Sequence, residues 1–126
     1  MRPLELLREM FALMVVNKDA DRAATYYHPD FVLTTNGQTQ TFDEFEASHR
    51  TVYATPIQYA VAYDEDAWVE TSDRVAGRVW ITTTRPDEPP TTIEVILVAT
   101  YLDGRIHRLW ELTWPDWSRL PAFDEY

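Results

Sequence analysis

Cysteine is absent from this chain, so disulfides, thiolate nucleophiles and cysteine-based metal sites are excluded. Basic residues are scarce: 11 Lys and Arg stand against 21 Asp and Glu, for a net charge of −10. They are scattered and never run together, which argues against nucleic acid or an anionic membrane as a partner. The acidity itself reads as solubility. No apolar run approaches the ~20 residues of a membrane span. The stretch from Met10 to Val16 follows Glu5, Arg8 and Glu9 and precedes no small-residue cleavage site, so it does not read as a signal-peptide core. A cytoplasmic location is expected. No Gly-x-Ser-x-Gly elbow, Gly-x-Gly-x-x-Gly turn or phosphate loop occurs, which argues against hydrolase triads and nucleotide cofactors. His28, His49 and His107 lack a His-x-x-x-His spacing, so no zinc site is expected, and no other metal or cofactor either. Repeats, low-complexity segments and linkers are also missing, and residues 1–126 read as one domain.

What is present is concentrated near the C-terminal end. Asp103-Gly104 stands between two long apolar runs, Thr91 to Leu102 and Arg105 to Trp114, a strong signal for a hairpin with a type I′ turn. If Leu102 faces Arg105 and pairing continues residue for residue, the strands' period of two sorts the side chains into two sets. One face holds Ile93, Val95, Leu97, Ala99, Tyr101, Ile106, Arg108, Trp110 and Leu112. The other holds Glu94, Ile96, Val98, Thr100, Leu102, His107, Leu109, Glu111 and Thr113, with Glu111 opposite Ile96. Both faces are apolar enough to require cover, and the second sets carboxylates among apolar neighbours, which suggests a pocket. Helices can cover only one face, so the other predicts a homodimer by isologous pairing of sheets.

Upstream, apolar residues at helical spacing predict a helix from about Pro3 to Asn17, carrying Leu4, Leu7, Phe11, Met14 and Val15 on one stripe. A second short helix is expected from Asp19, a plausible N-cap, to just before Pro29. Phe31 to Thr35 reads as a short strand, turned at Asn36-Gly37 into Gln38 to Thr41. Thr41-Phe-Asp-Glu44 has the form of a capping box and opens a third helix, with Phe42, Phe45, His49, Val52 and Tyr53 on one face and Pro56 as its stop. Strands are then expected over Ile57 to Val69, Arg74 to Arg85, Thr91 to Leu102 and Arg105 to Trp114. The aromatic tail from Trp114 to Tyr126 is expected to pack on the body. This order defines an α+β layer architecture.

The junction Tyr26-Tyr27-His28-Pro29-Asp30-Phe31-Val32, the opening Thr41 to Phe45, and Asp103-Gly104-Arg105-Ile106 with Trp110-Glu111 occur in an order and spacing that resemble the nuclear transport factor 2-like superfamily, and within it the SnoaL-like group that includes polyketide cyclases. The resemblance covers nearly the whole chain. It implies a cone, or cystatin-like α+β roll: three N-terminal helices packed on a curved, mostly antiparallel sheet around a cavity. It also implies a small hydrophobic or aromatic ligand and often a dimer. Members include isomerases, cyclases, dehydratases and epoxide hydrolases, and also proteins without known catalysis.

The resemblance makes Glu111, which follows Trp110 in the last strand, the candidate general acid/base. That chemistry needs a carboxyl whose pKa is raised by apolar neighbours; the alternative is an ion pair with Arg78 or Arg108. His49 is its candidate catalytic helper, or else a core histidine satisfied by a backbone carbonyl. Tyr27, Tyr53 and Trp80 are candidate pocket walls, and Glu94 would share the face of Glu111, unless it is solvated or ion-paired. Two departures from catalytic relatives stand out. The place of the catalytic aspartate of limonene-epoxide-hydrolase-like members holds Trp114, and Phe31 to Thr35 offers no acid matching that of ketosteroid-isomerase-like members. Two functions fit these residues: a cofactor-independent cyclase, isomerase or dehydratase working by proton transfer, or a non-catalytic ligand-binding or accessory dimeric module.

Overall fold

In the computed structural model, residues 1–120 are described. Pro3 opens helix α1 (Pro3–Met10), which widens into a π-helical stretch over Phe11–Val16. The Asp19 amide closes that stretch on the Met14 carbonyl at 2.9 Å. Asp19 acts as a cap, accepting from the Asp21 amide. The capped segment is a 3₁₀ turn, Ala20–Arg22, leading into a single α-helical turn, α2 (Ala23–Tyr26). The chain is already extended at Tyr27, so strand β1 spans Tyr27–Thr35 and is longer than expected. Asn36 and Gly37, both at positive φ, turn it into β2 (Gln38–Thr41). Thr41 and Glu44 form the reciprocal capping box of α3 (Phe42–Tyr53).

The expected strand over Ile57 to Val69 is broken. β3 covers Gln58–Tyr63 and β4 only Val69–Glu70, with Trp68 between them. Trp68 lies flat over Gly77, where a Cβ would come within 2.2 Å of its ring. β5 (Arg74–Thr84), β6 (Thr91–Leu102) and β7 (Arg105–Trp114) supply the long strands. The strands run in the order β2-β1-β7-β6-β5-β3, with β4 on β5. The sheet is curved and mixed: β1 pairs with β7 in parallel, and the other pairings are antiparallel. Parallel neighbours need a long crossover, and here most of the chain separates the two partners.

The turn at Asp103-Gly104 has φ of 54° and 74°, as a type I′ hairpin requires. Leu102 faces Arg105 and Tyr101 faces Ile106, but Thr100 then pairs with Arg108, so His107 is an extra residue in the strand. This β-bulge is pinned on both sides. The Arg108 amide donates to Thr100 Oγ1 at 3.2 Å, and its guanidinium donates to the carbonyls of Asp30 and His107. A one-residue slip exchanges the faces of a strand. Beyond the bulge, the partner of Glu111 is Leu97, not Ile96. Leu109 and Thr113 are thereby buried on the side of Ile93, Val95, Leu97 and Ala99, and Leu109 joins them in the core with residues from the helices. The opposite face exposes Ile96, Val98, Trp110, Leu112 and Trp114.

Candidate ligand cavity

Between the helices and the inner face of the sheet lies a cavity of about 330 Å³, near the lower end of the range for small-molecule sites. Leu7, Met10 and Phe11 bound it from the helical side, Ile93, Val95, Leu97 and Leu109 from the sheet, and Phe45, Tyr53, Tyr59 and Trp117 contribute aromatic walls. Among the described lining residues Glu111 is the only carboxylate and no lysine or arginine appears. Its side chain is half-buried and lines the cavity. No described side chain pairs with it. Loss of hydration alone pushes its pKa up to about 7, where a carboxyl can both take and return a proton. The Glu111 backbone is anchored from the β1–β2 turn, where the Asn36 amide donates to the Glu111 carbonyl at 3.1 Å.

His49 reaches the cavity from the buried face of α3. Its Nδ1 lies 2.8 Å from the Phe45 carbonyl; a carbonyl only accepts, so Nδ1 carries the proton and Nε2 offers a lone pair. Burial lowers the pKa of the ring, and only the carbonyl bond opposes that, which favours the neutral form. Tyr53 stands edge-on to His49 and to Tyr59, with ring centroids 5.6 Å apart in each pair. The Tyr53 hydroxyl is buried without a hydrogen-bond partner among the described residues. Tyr27 sits on β1, not on a helix, and its hydroxyl meets Met10 Sδ at 3.4 Å. Desolvation raises the Tyr27 pKa strongly, and the neighbouring Tyr53 and Glu111 add to it.

Glu111, His49, Tyr27 and Tyr53 thus meet in one cavity; Trp80 and Glu94 do not. The bulge at His107 separates the two glutamates by turning Glu111 inward, while Glu94 stays on the outer face opposite Trp114. There Arg78 bridges Glu94 at 3.1 Å and Asp64 at 2.6 Å, and its guanidinium covers the ring of Trp80 at 4.8 Å. The facing of Trp80 comes from alternation along β5: Val75, Val79 and Thr83 are buried inward, so the even-numbered side chains point out. His28 is a junction residue, its Nδ1 accepting from the Asp30 amide at 3.0 Å. Sequence reasoning misses Tyr59 and Trp117. An overlong strand hides Tyr59, although its alternation with the exposed Gln58 is a readable signal. Trp117 is held by Nε1–H donating to Thr35 Oγ1 and by its amide on Thr113 Oγ1. Asn36 ties the same corner together, donating to Thr113 Oγ1 at 2.7 Å and accepting from the Thr113 amide at 2.9 Å.

A curved sheet with helices over one face, and one glutamate among the described residues lining the space between them, defines an α+β cone. Residues 7–109 match the model of the SnoaL-like domain, and the chain belongs to that family. Solved structures of the same cone include PrhC from Penicillium brasilianum, 11% identical with a TM-score of 0.73 over 87% of this chain and 78% of that one. IdmH from Streptomyces antibioticus, provisionally described as a polyketide cyclase, is 16% identical with a TM-score of 0.71 over 90% and 92% of the two chains. An LEH-like epoxide hydrolase from M. tuberculosis is 17% identical with a TM-score of 0.71 over 87% and 83%. At such identities the likeness is one of fold. Among curated proteins, none matches the sequence. The outward Trp114, 76% exposed, brings no group of its own to the cavity. No described helix is long and apolar enough to cross a membrane.

Proposed function

We propose that this protein binds a small, largely apolar molecule in the cavity and moves a proton on it without a cofactor, as an isomerase, cyclase or dehydratase does. Glu111 is the acid/base. It takes a proton from a carbon next to a carbonyl and returns it to another position of the same molecule. Neutral His49 accepts a hydrogen bond through Nε2 and orients either the ligand or the carboxyl. Tyr27 and Tyr53 form the walls nearest the reacting centre. The observation that carries this reading is the solitary Glu111, its pKa at about 7 through burial alone. A structural glutamate would instead be paired with arginine, as Glu94 is. Hydrogen–deuterium exchange at the α-carbon of small cyclic ketones, followed by NMR, tests it without knowledge of the natural substrate. Exchange above the buffer rate should fall by roughly 10²–10⁴ in Glu111→Gln. Equal rates in both proteins would leave the non-catalytic binding module as the better reading.

The same reading includes a homodimer. Ile96, Val98, Trp110, Leu112 and Trp114 expose apolar surface on neighbouring strands, and a stable association needs roughly 800 Å² per partner. Light scattering should give twice the 14.8 kDa chain mass, and Leu112→Glu should return the monomer mass; a monomeric wild type would overturn the assembly.

A further inference from the structure

Several polar groups of the cavity have spent their hydrogens on the protein. Tyr27 has Met10 Sδ as its hydrogen-bond acceptor, and His49 donates from Nδ1 to the Phe45 carbonyl. At the mouth, Ser48 and Thr51 hydroxyls donate to the carbonyls of Phe45 and Ala47, each at 3.0 Å. What these groups still turn toward a ligand is accepting capacity: a phenol oxygen, an imidazole lone pair, two hydroxyl oxygens. To them is added the carboxylate of Glu111, which no described residue pairs with. The Tyr53 hydroxyl, buried with no hydrogen-bond partner among the described residues, can both donate and accept.

A site that offers several acceptors and one carboxylate, with no cation among its described lining residues, has a defined complement. Buried charges are stable when paired and hydrogen-bonded, so the missing member is a cation that donates several hydrogens. Aromatic walls supply the rest, since ring faces attract an ammonium group within about 6 Å, and Phe45, Tyr53, Tyr59 and Trp117 line this volume. The net charge of −10 acts in the same direction at longer range by concentrating cations near the protein. We infer that the cavity takes a compact hydrophobic amine in its protonated form, with the ammonium group on Glu111 and its N–H bonds directed to Glu111, His49 Nε2 and a tyrosine oxygen. The inference rests on the cavity being a ligand site, and not on a proton being transferred there.

Three isosteric probes separate charge from shape: 2-phenylethylamine, 2-phenylethanol and phenylacetate, titrated calorimetrically into the full chain at pH 8. The amine should bind at least about 10-fold more tightly than the alcohol, with the carboxylate weakest. Glu111→Gln should erase the preference while still binding the alcohol. Glu94→Gln, which removes the same charge from the outer face, should leave the preference intact. Equal binding of amine and alcohol by the wild type overturns the inference. So does a preference that persists in Glu111→Gln, or one that disappears in Glu94→Gln, because either result traces it to the general field. Amine preference with no Glu111-dependent ketone exchange overturns only the proton-transfer reading, and the reverse combination overturns only this inference.

Discussion

Glu94 and Glu111 are the same side chain on neighbouring strands of one sheet, and their surroundings are opposite. Glu94 stands on the outer face beside Arg78, which also holds Asp64 and covers Trp80. Glu111 stands on the inner face opposite Leu97, without an ion pair, its pKa pushed up to about 7 by burial alone. No difference in local composition separates them, since each lies between apolar residues. One extra residue at His107 does. The outer face manages charge by pairing it near water, where a pair costs little and contributes little. The inner face leaves one charge unmanaged, which costs stability and is the kind of expense that functional sites carry.

The largest effect expected from this contrast comes from truncation on either side of β6. Leu97 is 1% exposed and Ile96, its immediate neighbour, is 44% exposed. Leu97→Ala removes core contacts directly opposite Glu111 and should cost about 2–5 kcal/mol in chemical denaturation. Ile96→Ala, measured at a concentration where the chain is monomeric, should cost less than half as much. Equal losses would mean that the two faces are equally buried, and the assignment of inside and outside would fail.

The next effect concerns the unpaired acid and has a definite sign. Glu111 titrates at about 7 in the folded chain against an ordinary value of 4.5, so the folded state holds its proton where the unfolded state has lost it. Between these values the folded state binds more protons, and the stability contributed by this site falls as pH rises. The difference levels off above about pH 7 and amounts to an upper figure of about 3 kcal/mol. Glu111→Gln should therefore melt like the wild type near pH 4 and be more stable at pH 8. Destabilisation at pH 8 would reveal a cationic partner, and the solitary acid would have to be abandoned.

How much of this is legible in the sequence obeys the same division. The α+β order, the capping box at Thr41, the Asn36-Gly37 turn and both ends of the β6–β7 hairpin are written in local chemistry and can be read directly. The facing of side chains beyond the hairpin's first pairs cannot. A bulge at His107 is decided by long-range contacts, Arg108 reaching the Asp30 carbonyl and Thr100 receiving the Arg108 amide, and nothing in Arg105-Ile-His-Arg announces it. Resemblance to family members singles out Glu111, while residue-for-residue pairing surrounds it with neighbours wrong by one residue. The same slip places Glu94 beside it. Alanine-rich spacing continues up to Tyr27 and predicts a helix there, yet the chain turns extended to pair Tyr27 with Ile106.

The smallest expected effect is also the sharpest control on the comparison. Glu94→Gln makes the same chemical change as Glu111→Gln, three residues into the partner strand and on the opposite face. Its carboxylate shares Arg78 with Asp64, and Arg78 keeps Asp64 at 2.6 Å when Glu94 is neutralised. The guanidinium is thus not stranded, and it retains water and the Trp80 ring. The melting midpoint should scarcely move at any pH between 4 and 8, and the pH dependence of stability should remain that of the wild type. The paired mutants then read out location alone: one glutamine substitution changes the slope of stability with pH, the other does not. A slope changed equally by both would assign the effect to net charge, and the distinction between the two faces of this sheet would lose its electrostatic meaning.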